Sequence, residues 1–210
     1  MQKKLNLANF PTKIEKLEKI SKDSGVNIYL KRDDQTGSEI SGNKIRKLEY
    51  SIYEAIENGC DTLITCGGIQ SNHARATAAA GIKLGMRAIL VLRSDETPEL
   101  EGNYFLDKVI GADVRIISSD DYRERRAEIM KEIKAESDAE GHKAYIIPEG
   151  ASNGIGSLGY YSAMEEIKEQ EKELGIKFDR IVAAVGSGGT YAGLCMGNAE
   201  FLMERKNYRI

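Results

Sequence analysis

One lysine opens a helical pattern of apolar residues and is a candidate nucleophile. Lys44 follows Asn43, and the apolar residues after it recur at helical spacing until Asn58 and Gly59 end the pattern. We expect Asn43 to cap this helix and Lys44 to occupy its first turn. There the helix dipole and burial both lower the pKa of the amine, which suits a lysine that forms a Schiff base with an aldehyde. An ordinary exposed lysine is the alternative interpretation.

A glycine-rich loop is the second feature that could do chemistry. The run Gly186-Ser187-Gly188-Gly189-Thr190 follows an apolar strand pattern and opens a helix. Glycines allow close backbone approach, the helix N-terminus offers N–H groups to an anion, and two hydroxyls add donors. No lysine follows as in a P-loop, and Tyr191 replaces the third glycine of a dinucleotide fingerprint. We predict a phosphate cradle, and a strand-to-helix turn without a ligand is the alternative.

Two further loops also join a predicted strand to a predicted helix. The first, at residues 67–73, carries Gln70, Ser71, Asn72 and His73 consecutively. Its simplest interpretation is that a serine or asparagine caps the helix and the histidine is structural. The second loop, at residues 148–154, is a glycine-rich connection or a rim of the same cleft. Together the four loops supply a lysine, a phosphate cradle and polar groups for a ring hydroxyl, which matches the needs of pyridoxal phosphate.

Alternating elements must position these loops. Strands are predicted at 61–66, 87–92, 113–117, 144–147 and 180–185, and helices at 71–84, 103–110, 120–140, 158–174 and up to residue 203. Such alternation indicates βαβ units and an α/β fold with a parallel sheet. Right-handed crossovers place the carboxyl ends of the strands at one edge, where such folds bind ligands.

Composition excludes several classes of protein. The 210 residues are 41% hydrophobic and 30% charged, which is typical of a folded soluble chain rather than a disordered one. A net charge of -3 gives no electrostatic case for nucleic acid, and no apolar run is long enough to span a membrane. The three cysteines lack metal-ligand spacing, so we predict no metal site. We interpret them as reduced thiols and, with no secretory signal at the N-terminus, expect a cytoplasmic protein.

Four motifs in order resemble one enzyme family. They are Lys31-Arg32-Asp33-Asp34, Ser41-Gly42-Asn43-Lys44-Ile45-Arg46-Lys47-Leu48-Glu49, Gly68-Ile69-Gln70-Ser71-Asn72-His73 and the glycine loop. The chain resembles the D-cysteine desulfhydrase and 1-aminocyclopropane-1-carboxylate deaminase family from near residue 5 to its last residue. This family is part of the tryptophan synthase β-like (fold type II) group of pyridoxal-phosphate enzymes.

The resemblance implies a fold and a set of roles. It implies two three-layer αβα domains with parallel sheets: a smaller one at 46–150, and a larger cofactor-binding one from 1–45 and 151–210. Lys44 would bind the pyridoxal 5'-phosphate cofactor covalently and move the substrate's α-proton. Asn72 would hydrogen-bond the ring oxygen, and residues 186–190 would hold the phosphate. Ser71 would act beside the substrate carboxylate, with Gln70 and His73 as further substrate contacts.

The resemblance also implies a reaction and leaves alternatives open. The favoured reaction converts D-cysteine to pyruvate, ammonia and hydrogen sulfide, and the alternative opens the ring of 1-aminocyclopropane-1-carboxylate. Members of the family are longer, so the chain is expected to lack part of its larger domain, including a substrate-facing tyrosine and the partner of the pyridine nitrogen. An inactive cofactor-binding remnant is therefore a second hypothesis, and a NAD-binding protein is a third. The expected partner is a small amino acid, and a homodimer is the expected assembly of the complete protein.

Overall fold

The computed structural model describes residues 3–37, 40–201 and 206–209. Its strands are β1 (Ile14–Lys16), β2 (Tyr29–Lys31), β3 (Thr62–Gly68), β4 (Arg87–Arg93), β5 (Asp113–Ile117), β6 (Ala144–Ile146), β7 (Arg180–Ala183) and β8 (Lys206–Arg209). Its helices are α1 (Glu18–Ser24), α2 (Ile45–Glu57), α3 (Asn72–Lys83), α4 (Gly102–Val109), α5 (Ser119–Ala139), α6 (Gly154–Leu174) and α7 (Gly189–Glu200). None of the described helices has the length and apolar character needed to cross a membrane.

The principal sheet is parallel and has the strand order β5-β4-β3-β6. Alternate residues of its central strands face opposite layers, as the two-residue period of a strand requires. Ile64 and Val91 pack under α5, whereas Leu63 packs under α2 and α3, and Leu90 under α3. Helices therefore cover both faces, which explains why β3 and β4 are almost continuously apolar.

Two smaller sheets stand apart from the principal one. Strands β1 and β2 pair antiparallel, and β7 and β8 pair parallel. Helices α6 and α7 pack together beside β7 in a cluster that includes Tyr160, Met164 and Leu194. The carboxyl end of β7 then leads directly into the glycine loop and α7.

The α/β prediction and its order of elements between residues 61 and 200 are confirmed. The structure adds one further strand after these elements, β8, which pairs with β7. Helix α6 begins at Gly154, four residues before the predicted start, because the Asn153 side chain accepts a hydrogen bond from Gly156 N at 2.8 Å. The helix predicted up to residue 203 is described as far as Glu200, and residues 202–205 lie outside the described part of the chain.

Candidate functional site

A cavity of about 320 Å³ lies where the loops after β3, β6 and β7 meet. It is lined by Asn43, Lys44, Lys47, Ser71, Asn72, His73, Glu149, Gly150, Ala184, Val185, Gly186, Ser187, Gly188, Thr190 and Tyr191. Lys44 therefore shares one cavity with three polar residues of the loop at 67–73 and with all of the glycine loop except Gly189, at the sheet edge where α/β folds bind ligands. A larger cavity of about 480 Å³ lies between α2 and α6 and contains none of the predicted site residues.

Lys44 stands immediately before α2 rather than inside its first turn. It occupies the N-cap position, so the prediction that Asn43 caps the helix is wrong. The Asn43 side chain instead accepts a hydrogen bond from Lys44 Nζ at 3.2 Å. Burial lowers the pKa of the Lys44 amine, as predicted, and thereby raises the fraction that is unprotonated and nucleophilic.

A second lysine, which the sequence reasoning missed, lies in the same cavity. The Lys47 amine donates hydrogen bonds to the Gly150 carbonyl at 3.0 Å and to the Ser152 hydroxyl at 3.2 Å. Burial, and then the positive charge of Lys44, lower its pKa to about 8. The signal was available, because residues three apart lie on one face of a helix and Lys47 is three residues after Lys44.

The glycine loop brings the N-terminus of α7 against this second amine. Gly188 has a φ of 87°, in the left-handed region that favours glycine, and Gly189 begins the helix. A Cβ atom on Gly189 would stand 2.8 Å from the Ser152 hydroxyl and 2.9 Å from Lys47 Nζ, so no side chain fits there. The Ser187 hydroxyl lies 2.6 Å from that of Ser152. Backbone N–H groups, hydroxyls and an amine thus surround a space suited to an anion.

The loop at residues 67–73 places some of its polar side chains in the cavity and one against a neighbouring helix. Ser71 lines the cavity and also caps α3, because its hydroxyl accepts from Ala74 N at 3.1 Å. The exposed Asn72 also lines the cavity, and its side-chain oxygen accepts from Asn103 Nδ2 at 2.9 Å. Gln70 is not among the lining residues, since its side-chain oxygen accepts from Asn103 N at 2.7 Å, at the start of α4.

His73 forms part of the cavity wall as a buried and neutral side chain. Thr65 donates its single hydroxyl hydrogen to the Ile147 carbonyl at 2.8 Å, so the 2.8 Å contact between Thr65 Oγ1 and His73 Nε2 requires a hydrogen on the ring nitrogen. His73 Nδ1 is then an acceptor, and it has no hydrogen-bond partner among the residues that the structure describes. Burial, followed by the charges of Lys44 and Lys47, lowers the pKa of His73 to about 3.

Comparison with known proteins agrees with this chemistry. The family described as pyridoxal-phosphate dependent enzyme matches residues 5–210. The chain belongs to this family. It is 44% identical over 201 residues to the bifunctional D-cysteine desulfhydrase/1-aminocyclopropane-1-carboxylate deaminase, mitochondrial, of Arabidopsis thaliana, with 92% of this chain and 50% of the relative covered. It is 44% identical over 201 residues to the 1-aminocyclopropane-1-carboxylate deaminase of Bradyrhizobium diazoefficiens, with 90% and 58% covered.

The fold of this family is shown by solved structures. The crystal structure of an ACC deaminase homologue superposes with a TM-score of 0.90 at 44% identity, over 98% of this chain and 62% of the other. This confirms the fold type II prediction of a pyridoxal-phosphate enzyme. The chain spans between half and about three fifths of the length of the curated relatives it matches.

The residues present fit the family's cofactor. Pyridoxal phosphate needs an amine for its aldehyde, an anion site for its phosphate and polar contacts for its ring. The cavity offers the Lys44 amine with its lowered pKa, and beside it the backbone turn at Gly188, which has a positive φ, leads into the crowded start of α7 at Gly189. The charge of Lys47 also suits a phosphate, because an anion beside it would offset the desolvation of its amine.

Proposed function

We propose that the complete protein is a pyridoxal-phosphate-dependent lyase that converts D-cysteine or a related small amino acid to pyruvate, ammonia and hydrogen sulfide. The observation that carries the proposal is one cavity that joins a lysine of lowered pKa to an anion cradle. Bound pyridoxal phosphate supplies an electron sink that stabilises negative charge at the substrate Cα. The overall reaction consumes one water molecule for each D-cysteine, so one D-cysteine and one water give one pyruvate, one ammonia and one hydrogen sulfide.

The chain's residues divide the work by chemistry. Lys44 holds the cofactor covalently and moves the α-proton, because its lowered pKa leaves more of the amine unprotonated, and so able to accept a proton, at neutral pH. The loop at residues 186–190 and the Lys47 ammonium hold the phosphate. Asn72 contacts the ring oxygen, and Ser71 lies beside the substrate carboxylate as hydrogen-bond donor or proton carrier.

Gln70 and His73 differ in how their surroundings support the proposed substrate contact. His73 lines the cavity, where its neutral ring can shape the substrate site without carrying charge. Gln70 would have to exchange its hydrogen bond to Asn103 N for one to the substrate. Its role therefore depends on a movement at the start of α4.

The proposal includes a two-domain organisation and an assembly. Residues 46–150 form the smaller domain, and 1–45 with 151–210 belong to the larger one, so the cofactor cavity lies between them. The cavity lining supports this division because it takes residues from both parts. We place the complete protein in the cytoplasm as a homodimer, which is the commonest symmetric assembly.

Ring opening of 1-aminocyclopropane-1-carboxylate is the second candidate. The observation in its favour is the name of the relatives, since the Arabidopsis protein is named for both activities and the Bradyrhizobium protein for the deaminase alone. Both reactions begin with the same cofactor and the same lysine. They differ in whether sulfide leaves from Cβ or a strained ring opens.

Cofactor titration followed by product analysis tests the proposal. We expect added pyridoxal phosphate to produce an absorbance band near the visible edge that is absent from Lys44→Ala. D-cysteine should then release sulfide and pyruvate, whereas the cyclopropane acid should release a four-carbon 2-oxo acid and ammonia. A band without either product would identify a cofactor-binding remnant, and NAD binding without a Lys44-dependent band would refute the proposal.

A further inference from the structure

The two halves of the proposed site begin two different helices. Lys44 immediately precedes α2, and the glycine loop ends where α7 begins. Helix α6 packs against both of them, so the positions of the lysine and of the cradle both depend on α6. The distance between the two halves is therefore set by two helix crossings, α2 on α6 and α6 on α7.

The α2–α6 crossing has no room for a side chain. A Cβ atom on Gly159 of α6 would stand 2.7 Å from the Lys47 backbone nitrogen, and still closer to the Arg46 carbonyl. This backbone contact lies two residues after Lys44. Any atom added at Gly159 pushes the start of α2 away from α6.

Charged side chains fix the same crossing in one register. The buried Arg46 guanidinium, 3% exposed, donates to Asp33 Oδ1 and Oδ2 at 2.8 Å and to Glu166 Oε2 of α6 at 2.8 Å. Lys31 also pairs with Glu166. Although burial opposes ionisation, Arg46 lowers the pKa of both Asp33 and Glu166, so both carboxylates are charged at neutral pH. The cluster carries two positive and two negative charges and is balanced.

The α6–α7 crossing is built in the same way. A Cβ atom on Gly193 of α7 would stand 2.7 Å from Tyr160 Cβ and 3.0 Å from Tyr161 N. One turn later, Gly197 is equally crowded, 2.6 Å from Met164 Cβ and 2.9 Å from the Tyr161 carbonyl. Tyr160 also donates to Asp33 Oδ2 at 2.7 Å, which links this crossing to the charged cluster.

We propose that α6 is a spacer that sets the distance between Lys44 and the phosphate cradle, with Gly159, Arg46 and Glu166 as its positioning residues. This inference rests on the proposed function, because the spacing matters only to a ligand that uses both halves at once. A ligand that engages both gains an effective concentration that depends on their separation. Ligands of either half alone are indifferent to it.

The test compares two aldehydes, of which only one carries a phosphate group. Pyridoxal phosphate uses both Lys44 and the cradle, whereas pyridoxal uses Lys44 alone. In the 210-residue chain we expect pyridoxal phosphate to bind far more tightly than pyridoxal. In Gly159→Ala the two helices must separate to restore a contact of about 3.5 Å. We expect the preference to fall by about 10²-fold, as for an ångström-scale misplacement, while the affinity for pyridoxal stays within about twofold.

Matched variants separate positioning from folding. Gly154→Ala lies in the same helix, where a Cβ atom meets nothing within 4 Å in the described part of the chain, and should retain the full preference. Glu166→Gln removes one charge of the cluster without crowding the crossing, and should reduce the preference partially. Circular dichroism checks that each variant folds. If Gly159→Ala does not fold, the ligand preference of Glu166→Gln is the test of the spacer.

Each outcome decides one of the two claims. An unchanged preference in folded Gly159→Ala and Glu166→Gln chains overturns the spacer while leaving the proposed function intact. Equal losses for pyridoxal and pyridoxal phosphate also overturn it, because they would indicate general damage to Lys44. No Lys44-dependent band with either aldehyde in the unaltered chain refutes the proposed function, and the spacer with it.

Discussion

Anion binding at the cradle should depend on the protonation of Lys47. Burial and the neighbouring Lys44 lower the pKa of Lys47 to about 8, so its charge is lost within an accessible pH range. A bound dianion favours the protonated amine. Anion affinity should therefore be high below pH 8 and fall as the pH rises through that value.

The magnitude follows from the fraction of protonated amine. A group with a pKa near 8 is about nine-tenths protonated at pH 7 and about one-tenth at pH 9, which predicts a roughly tenfold loss of affinity between them. Lys47→Met should weaken binding at pH 7 by about 1.5–3 kcal/mol, the contribution of a hydrogen bond to a charged group. Lys44→Met should move the fall to higher pH, because it removes the positive charge that lowers the pKa of Lys47.

Sulfate is the suitable probe because it stays a dianion throughout this range, whereas phosphate titrates near neutral pH. Its dissociation constant can be measured by calorimetry from pH 6.5 to 9.5 at constant ionic strength, which holds salt screening fixed. An affinity that is constant across this range, or a fall that persists unchanged in Lys47→Met, would refute the assignment of Lys47 to the cradle.

Two further predictions concern the effect of cavity-lining residues on the stability of the fold. Because burial lowers the pKa of His73 to about 3, the unfolded chain binds a proton below pH 6.5 that the folded chain does not bind. The free energy of unfolding should therefore decrease as the pH is lowered below 6.5. Between pH 6.5 and 5 the free energy of unfolding measured in urea should fall by about 1.6 kcal/mol, and this loss should be present in His142→Gln and absent from His73→Gln. Ser71→Ala should lower the free energy of unfolding by about 1 kcal/mol because the α3 cap is lost, whereas Ser71→Thr should not. Identical unfolding curves for the two serine variants would contradict the cap.

Most elements from residue 61 to 200 could be predicted because the central strands are strongly apolar, the helices carry a helical pattern, and a glycine or proline follows most of them. The three-residue strand β6 could be located by Pro148, which follows it. The N-terminal elements could not, since β1 and β2 are three residues each and their pairing joins segments thirteen residues apart. Short strands carry too little periodicity to be recognised.

The convergence of the loops was predictable from topology, but the direction of each side chain was not. Gln70 and Ser71 are adjacent in sequence, yet one reaches α4 and the other lines the cavity. The chain turns from strand to helix between them, so neither the two-residue nor the helical period applies. Asn43 illustrates the same limit, because a residue type that favours capping was used to bond a lysine side chain instead.

The spacing of the site has its origin partly outside the motifs that revealed it. Gly159 and Gly193 are unremarkable in sequence, since a single glycine within a helix normally costs stability. That cost is accepted at both crossings because a Cβ atom there would collide with the neighbouring backbone or with Tyr160. Apolar helix faces can slide past one another with little penalty, whereas displacing Arg46 from Asp33 and Glu166 would leave buried charges unpaired. Close backbone contact thus sets the distance between the helices, and the ion pairs set their register, which together fix where Lys44 stands relative to the cradle.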